Sequence, residues 1–151
     1  MAVGRRTTLT VAVLAAAFAA VQCIRVAPSN PAPRGDLVAP PEVKVPLRRA
    51  CFDCHSNETT WPWYSKVAPL SWVMARDVNR GRQRLNFSEW ADYASDPETL
   101  KHKLDQIVES ITRGDMAPWY YGVLHSDAQL NPHQRELIIH WATQEASSIS
   151  P

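Results

Sequence analysis

Cys51-Phe52-Asp53-Cys54-His55 constrains this chain more than any other stretch. Two thiols three positions apart, followed at once by an imidazole, form the attachment signature of c-type haem. The spacing has a chemical reason. Each thiol can add across one vinyl group of the same porphyrin, and the histidine after the second thiol falls under the iron as an axial ligand. Other uses of the pattern fit less well. A thioredoxin-like pair should follow a buried strand, but Val43 to Arg49 holds Pro46 and two arginines, poor material for one. A structural zinc site needs four ligands. The only other cysteine is Cys23, and His133 and His140 lie too far apart for the usual zinc pairing. A Cys51–Cys54 disulfide would close too small a loop to add much stability. The motif predicts one covalent haem c on Cys51 and Cys54, with His55 as the proximal iron ligand.

The N-terminal residues predict export. Arg5 and Arg6 precede an apolar stretch from about Leu9 to Ile24, and no acidic residue occurs before Asp36. That is the charge layout of a secretory leader. Its apolar core of ~15 residues is shorter than the ~20 of a comfortable membrane span. Residues 1–26 are therefore read as a signal peptide, with Ala17 and Ala19 suiting cleavage, or as a retained membrane anchor. Lipidation at Cys23 is disfavoured by the bulky Gln22 before it. Each alternative puts the folded part on the periplasmic side, anchored in the inner membrane or soluble after cleavage.

Residues 27–46 carry Pro28, Pro31, Pro33, Pro40, Pro41 and Pro46 and read as an extended linker. Residues 47–151, about a hundred, suffice for one small core. A net charge of +1 offers no support for nucleic-acid binding. Helix signals dominate this region. Ser95-Asp96-Pro97-Glu98 has capping-box spacing, with Leu100, Leu104, Ile107, Val108 and Ile111 on one face and Gly114 as a stop. Asn131-Pro132-His133-Gln134 starts another helix. A third is expected from about Pro69 to Arg84, and a shorter one begins near Asn86. Alternating strand patterns are missing, so the fold class is all-α.

A second axial ligand is sought after the amphipathic helix. Met116, in Gly114-Asp115-Met116-Ala117-Pro118, sits on a loop freed by glycine and stiffened by proline. A thioether there favours ferrous iron and raises the reduction potential. Met74 reads as a core residue, and His125 is the strongest of the remaining histidines. The chain has six tryptophans. Trp61, Trp63, Tyr64 and Trp72 follow the thiol motif, and Trp119 and Tyr120 follow Met116, so they are candidates to wall a porphyrin. Of Arg76, Arg80, Arg82 and Arg84, one is a candidate partner for a haem propionate. The others are expected on a solvated helix face.

The run from Cys51 through His55-Ser-Asn-Glu-Thr-Thr-Trp-Pro-Trp-Tyr to Trp72 resembles the small bacterial haem-binding domain family of exported, monohaem, cytochrome c-like proteins. The likeness continues through Asp77 to Arg82, Leu85 to Trp90 and Gly114 to Tyr121. It implies a cytochrome c-like helical domain wrapped around one covalent haem, with His55 proximal and Met116 distal. Family members often have Met-Pro directly, whereas Ala117 intervenes here. The expected role is single-electron transfer with a redox partner protein. The alternative is a haem enzyme or gas sensor with an open sixth iron position, for which His125 would be the acid–base group.

Overall fold

Proline placement sets three of the main helix starts, because its fixed φ suits the first turn and its missing N–H costs nothing there. The computed structural model describes the backbone of residues 2–149. It contains α1 (Ala2–Val21), α2 (Pro41–Ala50), α3 (Phe52–His55), α4 (Leu70–Arg84), α5 (Trp90–Ala94), α6 (Pro97–Arg113), α7 (Trp119–Leu124) and α8 (Pro132–Ser148). No strand occurs among the described residues, so the fold is all-α as expected.

The chain forms two compact units, Met1–Pro28 with Trp61–Asp77, and Ser29–Thr60 with Val78–Pro151. Helix α4 gives its first half to one and its second half to the other.

In the larger unit α6 packs along α8, α2 lies on α8 and α5 on α6. Leu104, Ile107 and Ile111 of α6 are buried, as the periodic apolar face requires. Ile138, Trp141, Ala142 and Ala146 come from α8. Fully burying one such aliphatic side chain contributes about 1.5–3 kcal/mol. Gly114 ends α6 at φ 72, where its N–H and that of Asp115 take the orphan carbonyls of Ile111 and Ser110. The α8 capping box forms as expected: Asn131 Oδ1 accepts from Gln134 N at 2.9 Å, and Gln134 Oε1 accepts from Asn131 N at 3.0 Å.

Two expectations are corrected. The N-cap of α6 is Asp96, not Ser95, whose hydroxyl instead donates to the Asp92 carbonyl. The stretch expected to run extended to Pro46 is helical from Pro41. Pro41 occupies the first turn, and Leu37, Val43 and Leu47 are buried in the core. Burial of this apolar set outweighs the cost of Pro46 inside a short helix.

In the smaller unit, α1 is exposed from Gly4 to Ala20 and half-buried at Val21. It is the one described helix long and apolar enough to cross a membrane, with a window of mean hydropathy 1.2 over Gly4–Val21. The helical apolar segment is thus longer than the core expected between Leu9 and Ile24. Met74 is buried, as anticipated for a packing residue.

Candidate functional site

Helix α2 ends at Cys51, whose N–H closes on the Leu47 carbonyl at 2.9 Å. The Cys51 carbonyl then accepts from Cys54 N at 3.2 Å and His55 N at 2.9 Å, starting the single turn α3. Positions 51, 54 and 55 stand at i, i+3 and i+4, which places their side chains on one side of that turn. None of the three cysteines, Cys23, Cys51 and Cys54, is in a disulfide. Burial pushes the Cys51 thiol up to about 12, with the neighbouring Cys54 adding to the shift.

His55 is fixed by its far nitrogen. Nδ1 lies 3.1 Å from the Leu85 carbonyl, an acceptor only, so Nδ1 carries the proton and donates. Nε2 is left with its lone pair, the tautomer a metal-binding histidine needs. Burial lowers the His55 pKa and Arg84 adds to this, while carbonyl contacts at Leu85 and Gly81 oppose it. The ring is therefore biased towards the neutral form that can ligate.

Two residues outside the motif and one within it hold this turn in place. A Cβ added to Gly81 would lie 2.3 Å from the Cys54 carbonyl oxygen, so only glycine allows α4 to approach so closely. Arg82 spends its guanidinium on the loop after His55. Nε donates to Ser56 O at 2.7 Å, Nη1 to Ser29 O at 2.8 Å, and Nη2 to Asn30 Oδ1 and Thr59 Oγ1 at 2.9 Å. Arg82 is thus half-buried, with its guanidinium engaged by this loop where a freely solvated helix face was expected for most of the four arginines. Asp53 lies between the two cysteines. Its Oδ1 accepts from Thr60 N at 2.8 Å and its Oδ2 from the Tyr121 hydroxyl at 2.7 Å.

Two motif segments thirty residues apart meet behind the turn. Phe52 stacks on Phe87 at 4.9 Å and 7°. Buried Asn57 donates its N–H to Ser88 Oγ, while its Oδ1 accepts from Asn86 Nδ2. The buried side chains of Asn57, Asn86 and Ser88 are thereby hydrogen-bonded, as low-dielectric burial demands.

The Tyr121–Asp53 bond ties α7, and with it the loop carrying half-buried Met116, to the cysteine turn. The exposed side of α7 presents Trp119 at 80% exposure with Tyr120, Val123 and Leu124. Trp119 and Tyr120 meet edge to face at 5.8 Å. His125 stacks on Tyr121 at 4.1 Å and 6°. Cys51, Cys54, His55, Met116, Trp119 and Tyr120 therefore share one unit. Trp61, Trp63, Tyr64 and Trp72 belong to the other.

Sequence reading missed Gly81, Leu85 and Asp53 as parts of the site, and offered Arg82 only as one of four candidate propionate partners. Only Gly81 left a signal, since a glycine inside a helix costs about 1 kcal/mol unless close packing requires it. A carbonyl acceptor such as Leu85 leaves none.

Two thiols outside any disulfide and an imidazole with Nδ1 engaged thus share one turn of an all-α domain, a donor set suited to a metal cofactor. A match to the haem-binding domain model over residues 13–144 shows that the chain belongs to that family. No curated protein and no solved structure matches the chain. The residues fit the group the family name implies. Nε2 of His55 offers an iron ligand, and the exposed apolar side chains of α7 are of a kind that a flat macrocycle covers.

Proposed function

We propose that the chain is an exported, monohaem, c-type electron carrier. The observation that carries the reading is the His55 Nδ1 bond to Leu85, which reserves Nε2 on the same turn as two unoxidised thiols. Cys51 and Cys54 would hold the group through thioethers, and the His55 imidazole and the Met116 thioether would be the side chains that ligate its iron. Haem, when bound, supplies a one-electron iron couple.

The protein's own residues orient and shield. Leu85 fixes the imidazole plane, and Asp53 with Tyr121 holds the Met116 loop beside the cysteine turn. Trp119 and Tyr120 exclude water from one edge. No proton need move, so the site requires no acid–base residue. His125, the group a peroxide reaction would recruit, is engaged in its stack on Tyr121. Arg5 and Arg6 before the apolar helix support a topology with the domain on the periplasmic side, facing a redox partner protein.

The test is spectroscopic. Protein made in a host with cytochrome maturation machinery should give a c-type pyridine haemochrome that survives acid–acetone extraction. Cys51→Ala and Cys54→Ala should each reduce covalent loading. The oxidised protein should show the weak near-infrared iron–sulfur band, and Met116→Ala should abolish it. A colourless product refutes haem attachment. Complete, rapid carbon monoxide binding by the ferrous wild type refutes the closed carrier.

A further inference from the structure

The smaller unit joins the end of α1 to the segment after residue 60 through side chain and backbone alike. Gln22, one residue past α1, pairs both ways with Ala68: Ala68 N donates to Gln22 Oε1 at 2.9 Å, and Gln22 Nε2 donates to Ala68 O at 3.1 Å. The same Nε2 also reaches the Phe18 carbonyl in the last turns of α1. Trp72 Nε1 donates to the Ile24 carbonyl at 3.0 Å. Ala68 is buried, so both of its backbone groups depend on the Gln22 amide. Residues 22–24 are thus docked, where a free tether would be solvated.

Gly4–Val21 is 18 residues long, about 27 Å at the helical rise, and its 15 residues between Arg6 and Gln22 span ~22 Å, a length that a locally thinned bilayer accommodates. If Arg5 and Arg6 mark the inner end, Gln22 falls at the outer boundary. The groups clamped to it suit that depth. Trp63 is 77% and Leu70 48% exposed, and tryptophan favours the headgroup layer, where its ring is half wet. A cavity of about 500 Å³ is lined by Gln22, Ile24, Arg25, Lys66, Ala68 and Ser71, with two cations among them. Across Met1–Pro28 and Trp61–Asp77 the only carboxylate is Asp77, and it pairs with Arg76 at 2.9 Å. Anionic phosphate meets no like charge there.

We propose that the Gln22–Ala68 clamp turns residues 61–72 into a platform that lies on an anionic phospholipid surface, with Trp63 and Leu70 in the headgroup layer and Arg25 and Lys66 on lipid phosphates. This rests on α1 being kept in the mature protein and is independent of haem chemistry.

The test uses full-length, haem-loaded protein carrying Cys23→Ser with Trp63→Cys, and separately Leu70→Cys, each spin-labelled. Each is reconstituted in phosphatidylcholine vesicles with and without phosphatidylglycerol. Collision with a water-soluble nickel complex should fall severalfold relative to detergent-free peptide label, and further with phosphatidylglycerol. Gln22→Ala should restore nickel access while α1 remains resistant to carbonate extraction, and Arg25→Ala with Lys66→Ala should erase the phosphatidylglycerol effect. Full nickel access at both positions in wild-type background overturns the platform. So does an intact mass lacking α1. An unchanged Soret band in every variant keeps these outcomes separate from any failure of haem binding.

Discussion

The hydroxyl of Tyr121 donates to the carboxylate of Asp53 at 2.7 Å, across 68 residues of sequence. Asp53 stands between the two cysteines of the motif, and Tyr121 lies in the helix that follows Met116. One charge-assisted hydrogen bond thereby places the Met116 loop relative to the cysteine turn. Such bonds contribute about 1.5–3 kcal/mol.

Tyr121→Phe keeps the ring that stacks on His125 and removes the hydroxyl that bonds Asp53. Its unfolding free energy in urea should drop by ~1–3 kcal/mol, with the carboxylate of Asp53 left short of a donor. The near-infrared sulfur band should weaken in the same variant. Unaltered stability and an unaltered band would show that the bond does not hold the loop.

Gly81→Ala drives a methyl group into the Cys54 carbonyl, which is backbone and cannot rotate away. The loss should reach ~3 kcal/mol or more, and haem loading should fall with it. Arg80→Ala, one position away and exposed, should change stability by no more than about 0.5 kcal/mol. Equal behaviour of the two would refute close packing at Gly81.

Arg82→Lys retains the charge but cannot match a planar fork that serves four acceptors. A decrease of about 2–4 kcal/mol is expected by denaturant titration, because buried acceptors lose their donors. Arg84→Lys is the exposed comparison and should be nearly silent. A silent Arg82→Lys would show that these four bonds do not hold the loop.

Asp36 offers a pH test away from the haem. Burial opposes its ionisation, but the Lys44 hydrogen bond and the charges of Lys44 and Arg48 outweigh this and hold its pKa below the usual carboxylate value. A carboxyl lowered on folding adds stability above its unfolded pKa and loses it as pH falls through the folded one. The carboxylate is half exposed, so solvent screening limits the effect to about 0–1 kcal/mol. Asp36→Asn should therefore be slightly less stable than wild type at pH 7 and equal to it near pH 2, by thermal melts. A difference that persisted at pH 2 would assign the effect to packing.

Local chemistry made much of this protein legible in its residues. The thiol–thiol–imidazole run, the α6 stripe from Leu104 to Ile111, Gly114 at its end and the Asn131–Gln134 box each act within a few positions, so spacing alone reports them. Cooperation between distant segments was not legible. The helix through Pro46 forms because Leu37, Val43 and Leu47 find a core that proline statistics do not describe. Leu85 orients His55 through a carbonyl that every residue type possesses. Arg82 becomes a clamp because folding brings Ser29, Asn30, Ser56 and Thr59 within its reach. The motif specifies that an imidazole follows the two thiols; long-range packing decides which of its nitrogens is engaged and how firmly the turn is held.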